Sequence, residues 1–83
     1  MAYNRNEVVT QVVEIISDTL AIPIEEIHED TLMFEDLKAD SMDIVTLALT
    51  LDDAFGIEFN ISQLPQKNIS VGWVVDFIYT QSL

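Results

Sequence analysis

Apolar residues recur at helical spacing in three separate stretches of this 83-residue chain, and that periodicity restricts it to helices packed on one another. In the first stretch Val9, Val12, Val13, Ile16 and Leu20 form one stripe, with Asn4 or Asn6 placed to cap it, which predicts a helix over about residues 5 to 20. In the second, Ile44, Leu47, Ala48, Leu51 and Phe55 share one face. Asp40 is the expected N-cap of that helix, Asp43 complements its positive end, and Gly56 is placed to end it as a left-handed cap. In the third, Ser70 caps a stripe of Val71, Val74, Val75 and Ile78, with Gly72 a weak spot for helix formation.

The connections are as informative as the stripes. Pro23 marks a loop, and Ala21 to Ala39 reads as a long irregular link anchored to the core by Ile24, Ile27, Leu32, Phe34 and Leu37. A link of that length in a small domain is functional or contains a short helical turn. A brief turn is expected around Ile61 to Gln66, interrupted by Pro65, and only Ile57 to Ile61 approaches strand-like alternation. The reading is all-α, a single domain over residues 1–83 with no repeat and no low-complexity tract. With 49% hydrophobic residues there is material for a core, but a domain this small leaves no room for a deep enzyme cleft.

Charge narrows the partners. Fifteen acids face Arg5, Lys38 and Lys67 alone, for a net charge of −12, and eleven of those acids lie between Glu25 and Glu58. Phosphate backbones and anionic lipid surfaces repel such a chain, whereas basic protein surfaces attract it. There is no cysteine, so disulfides, thiolate metal sites and a cysteine nucleophile are excluded, and any thiol chemistry needs an imported sulfur. Met1 to Glu7 has no apolar signal core and no apolar run approaches the roughly 20 residues that cross a bilayer, so the expected compartment is the cytoplasm.

The second helix carries more apolar surface than a core stripe needs. Met42, Val45 and Leu49 form another line along it, edged by Asp52 and Asp53. Those two acids sit near the helix C-terminus, where the macrodipole disfavours anions by about 0.3–1 kcal/mol each, and no basic residue stands four positions away to compensate. Acids held at a locally unfavourable place beside an apolar line mark a surface that a basic partner covers.

Ser41, between Asp40 and Met42, is the first residue of that helix. A phosphate attached to its hydroxyl would meet free backbone N–H groups at the positive end of the dipole, opposed by Asp40 and Asp43. A hydrolytic role fails, because the one histidine, His28, lies in an acidic loop that nothing brings to Ser41. A calcium loop anchored on Gly56 also fails, because it puts Leu51 and Phe55 at the first and fifth ligand positions.

Phe34-Glu-Asp-Leu-Lys-Ala-Asp-Ser-Met-Asp-Ile-Val resembles the prosthetic-group attachment segment of acyl carrier proteins, F-x-x-D-L-G-x-D-S-L-x-x-V. The likeness runs through I-P-I-E-E-I in the long loop, L-x-x-A-F-G-I-E-F across the end of the second helix and I-S-V-x-x-V-V-D-F-I near the end, and so covers nearly the whole chain. It implies a small four-helix bundle with a long loop between the first two helices and a short third helix. It implies 4′-phosphopantetheine on Ser41, added by a phosphopantetheinyl transferase from coenzyme A with magnesium, with Asp40 and Met42 completing the attachment motif. Acyl groups would ride on the arm's thiol, so the chain is a carrier and not an enzyme. Asp43, Val45, Leu49, Asp52 and Asp53 fall on the partner-docking face, offered to an acyl ligase, ketosynthase or acyltransferase with a basic surface. No nucleic acid and no membrane insertion are expected, and the chain is read as a monomer.

Three departures stand out. Lys38 replaces the usual glycine, Thr46 stands where an acid is common, and Asn60 to Lys67 holds no acid at all. They leave the pathway open between fatty-acid, polyketide and dedicated secondary synthesis. A peptidyl or aminoacyl carrier is the alternative, against which the aspartate before the serine leans. An unmodified acidic interaction module would show the same acids and the same apolar line, and only the fate of Ser41 separates the two.

Overall fold

A computed structural model describes residues 4–58 and 69–82. These contain three α-helices, α1 (Arg5–Leu20), α2 (Ser41–Phe55) and α3 (Val71–Ser82), with a 3₁₀ turn at Ile24–Glu26 in the long loop. The described residues are thus all-helical but for one isolated bridge between Leu32 and Ser70. The short helix expected around Ile61 to Gln66 lies outside the described residues.

Asn4, not Asn6, caps α1, its side-chain oxygen accepting from the Glu7 N–H at 2.9 Å. The buried line of α1 is Val8, Val12 and Ile16, while Val9, Val13 and Leu20 pack half-buried against the core. The expected stripe was therefore correct at Val12 and Ile16 but centred one residue late, because a run of adjacent valines fits helical spacing in more than one register. The buried sets of α2 and α3 match expectation residue for residue: Ile44, Leu47, Ala48, Leu51 and Phe55, then Val71, Val74, Val75 and Ile78.

Helix α1 ends on Ala21 in the left-handed region, φ 57°. No glycine announces that cap. In the loop, Ile27 and Leu37 are buried as expected and Leu32 and Phe34 are half-buried, but Ile24 is 50% exposed and is not an anchor. Met33, 2% exposed, takes a core position instead, and Thr31 is buried beside it. Backbone pairing selects Met33: its N–H donates to the Ile69 carbonyl at 2.8 Å, which draws this stretch against the entry to α3. Thr31 is satisfied locally, its hydroxyl accepting from the His28 N–H at 2.9 Å.

Gly72 has a packing role rather than a merely weak helical propensity. The N–H groups of Val71 and Gly72 donate to the carbonyls of Thr31 and Glu29 at 2.9 and 2.7 Å. A Cβ on residue 72 would stand 3.0 Å from that same Glu29 oxygen. Alanine gains about 1 kcal/mol in helix propensity, yet it forces the loop carbonyl away and weakens the bonds that seat it. Gly72→Ala is therefore expected to lower stability by about 1 kcal/mol, a fall of roughly 4–8 °C in melting temperature for a domain of this size. A higher melting temperature would show that the loop yields freely.

One electrostatic clamp closes the fold. The Arg5 guanidinium donates to Glu29 in the loop at 2.6 Å and to Asp76 on α3 at 2.9–3.0 Å. The hydrogen bond from Arg5 holds the Glu29 carboxyl below the usual carboxylate range. Among the described residues no helix is long and apolar enough to cross a membrane.

Candidate functional site

The start of α2 is organised by two carboxylates facing the backbone. Asp40, extended at φ −101° and ψ −179°, is the N-cap; its Oδ1 accepts from the Asp43 N–H at 2.9 Å, and Asp43 Oδ2 accepts from the Asp40 N–H at 3.1 Å. This reciprocal box satisfies donors that the first helical turn would otherwise leave open and sets two negative charges at the positive end of the dipole. The ring of free N–H groups is consequently smaller than expected. Among the described residues only the N–H groups of Ser41 and Met42 in this first turn lack a partner, since the Ile44 N–H already donates to the Asp40 carbonyl.

Ser41 is exposed, and its hydroxyl makes no hydrogen bond among the described residues. Several other hydroxyls are occupied: Ser17 donates to the Ile22 carbonyl, Thr10 to Asn6 and Thr50 to Thr46, while Ser70 accepts from the Trp73 N–H; Thr19, Thr46 and Thr80 are uncommitted among the described residues like Ser41, but none of them stands at the head of a helix. An uncommitted, solvent-facing oxygen beside two free N–H groups fits a phosphodiester, whose anionic oxygens need donors and room. His28 is exposed in the loop.

The approach to the site carries backbone strain. Lys38 has φ 60°, in the left-handed region that side chains disfavour by about 1–2 kcal/mol. The neighbours impose it. Leu37 and Ala39 are both buried, and their N–H groups donate to the carbonyls of Leu32 and Met33 at 3.1 and 3.0 Å. The departure from glycine noted in the sequence thus falls on a position where glycine is the easier residue. Lys38→Gly and Lys38→Ala both remove the charge, so their difference isolates the backbone. The glycine variant should exceed the alanine variant by about 1 kcal/mol in urea unfolding, and equal midpoints would mean that the loop relaxes without strain.

Along α2 the second apolar line is at the surface: Met42 is 73% exposed, Val45 39% and Leu49 63%. Asp53 is exposed, whereas Asp52 is half-buried and engaged in a contact of its own. No basic residue stands in the last turn of α2. Of the chain's cations, Arg5 is held in its clamp, Lys67 lies outside the described residues, and Lys38 has no ion-pair partner among the described residues. The core side of α2 borders an apolar cavity of about 20 Å³ lined by Ile16, Met33, Ile44, Leu51, Ile69 and Val74 among others. That is about the room of one water molecule.

Comparison with known proteins agrees with this arrangement. The family model described as a phosphopantetheine attachment site matches residues 10–78. An acyl carrier protein of Coprothermobacter proteolyticus is 38% identical over 74 residues, covering 89% of each chain. One from Clostridium acetobutylicum is 41% identical over 68 residues, 82% of this chain and 87% of the relative. One from Thermotoga maritima is 32% identical over 75 residues, 90% of this chain and 91% of the relative.

Proposed function

Because this chain belongs to the acyl carrier protein family, we propose that Ser41 is the residue that bears its 4′-phosphopantetheine arm and that α2 presents the loaded arm to partner enzymes. The chain carries acyl groups on phosphopantetheine and is not itself an enzyme. When bound, the arm supplies a terminal thiol for thioesters, which a cysteine-free chain lacks.

The observation that carries the assignment is the uncommitted Ser41 hydroxyl at the start of α2. Asp40 and Asp43 hold the helix end in place while each is turned onto a backbone N–H, so the junction stays rigid around an accessible oxygen. Met42, Val45 and Leu49 form the apolar part of the docking face, with Asp43, Asp52 and Asp53 its acidic edge. A phosphopantetheinyl transferase and an acyl ligase, ketosynthase or acyltransferase would each bring basic and apolar groups to this face. The reading includes a single carrier domain over residues 1–83, a four-helix bundle whose short third helix falls between α2 and α3, a cytoplasmic monomer, and acyl rather than peptidyl cargo in a fatty-acid, polyketide or dedicated pathway.

Incubating the full chain with a phosphopantetheinyl transferase, coenzyme A and magnesium tests the assignment. The intact mass should rise by one phosphopantetheine, and peptide mapping should place it on the peptide containing Ser41. No gain with several transferases would remove the proposal.

A further inference from the structure

We propose that Met42 is an oxidant-sensitive modification site through which peroxide switches partner docking off. The inference rests on the docking reading of α2 given above and adds a chemical control to it. Two methionines lie among the described residues, and the fold treats them in opposite ways: Met42 is 73% exposed, next to the attachment serine, whereas Met33 is 2% exposed in the core. A peroxide therefore reaches one sulfur and not the other. Leucine, which the attachment pattern has at this position, offers no such chemistry.

The step balances with a hydroperoxide as the oxidant. The Met42 thioether sulfur attacks one peroxide oxygen, the S–O bond forms as the O–O bond breaks, and water or an alcohol leaves; sulfur is oxidised and the peroxide reduced. A methionine sulfoxide reductase reverses it at the expense of a dithiol. The product is a polar, chiral group at the head of the Met42, Val45, Leu49 line. Because Met42 packs little in the free protein, the fold is untouched, and the loss appears only where a partner must bury that side chain beside Val45 and Leu49.

The test uses the full chain before loading, which avoids the thiol of the arm. The protein is treated with hydrogen peroxide, desalted and mapped by peptide mass, and its rate of loading by a phosphopantetheinyl transferase is then measured against carrier concentration. One oxygen is expected on the Met42 peptide with Met33 spared. The KM for the carrier should rise about tenfold, the size of losing one methionine-sized apolar contact, and reductase treatment should restore it. Met42→Leu, whatever its own rate, should show no change on peroxide treatment, which also controls for Met1 and Met33. Equal oxidation of Met33 and Met42, or complete sulfoxide at Met42 with an unchanged KM, overturns the switch. Leu49→Asp separates the two ideas: if it slows loading while the sulfoxide does not, the docking face stands and only the switch falls. If neither change slows loading, the docking face falls as well.

Discussion

Ser41→Ala is expected to take loading from one phosphopantetheine per chain to none. The attachment needs an oxygen nucleophile that a transferase can reach, and Ser41 has the uncommitted one at the head of α2, whereas the hydroxyls of Ser17, Thr10 and Thr50 each donate to a backbone carbonyl. The loss cannot be charged to unfolding. Ser41 is exposed and makes no side-chain bond among the described residues, so its removal should change stability by no more than about 0.5 kcal/mol. Asp40→Ala makes the opposite case: it breaks the capping box at a cost of about 1 kcal/mol, keeps the hydroxyl, and should slow loading without abolishing it. Intact-mass measurement of both variants, with circular dichroism to follow the fold, distinguishes the two. Residual loading of the alanine variant would move the attachment site elsewhere.

Reversing the charges of Asp52 and Asp53 to lysine should weaken docking, and at Asp53 it should also raise stability. At the C-terminus of α2 a cation is favoured where an anion is not, by about 0.3–1 kcal/mol, so the exposed Asp53→Lys should gain stability, whereas Asp52→Lys offsets that gain by giving up its contact within the fold. Docking to a basic partner should weaken, with the KM for the carrier in a transferase or acyl-loading assay rising about tenfold or more at low salt, mainly through slower encounter. The difference from the parent protein should shrink as salt rises, since the Debye length falls from about 10 Å at 0.1 M to about 3 Å at 1 M. Asp52 is half-buried and has a contact within the fold, whereas Asp53 is exposed, so Asp53→Lys alone is the cleaner probe and should carry about half the effect. A KM that ignores both reversals would exclude this edge from docking.

The places where expectation and structure part have a common cause. The α2 and α3 stripes were legible because helical periodicity is local: each residue's side of the helix follows from its neighbours a few positions away. Ile24 was misplaced because an isolated apolar residue in a loop has no such rule. Its burial depends on which segment lies over it, and the structure gives the core position to Met33, which is bonded to Ile69. By helix propensity alone Gly72 is a weak spot, and its use lies in the Glu29 carbonyl packed against it from the loop. Arg5 carried no signal at all, since its partners lie 24 and 71 positions away.

From sequence alone came the helical class, the faces of α2 and α3, the N-cap at Asp40 and the candidacy of Ser41, all consequences of spacing within one or two turns and of the attachment motif. Tertiary structure alone decided that Met33 takes a core position against Ile69, that Gly72 lies against the Glu29 carbonyl, and that Arg5 ties the long loop to α3. Each of these depends on contacts between segments distant in the chain, and no local pattern of residues encodes them.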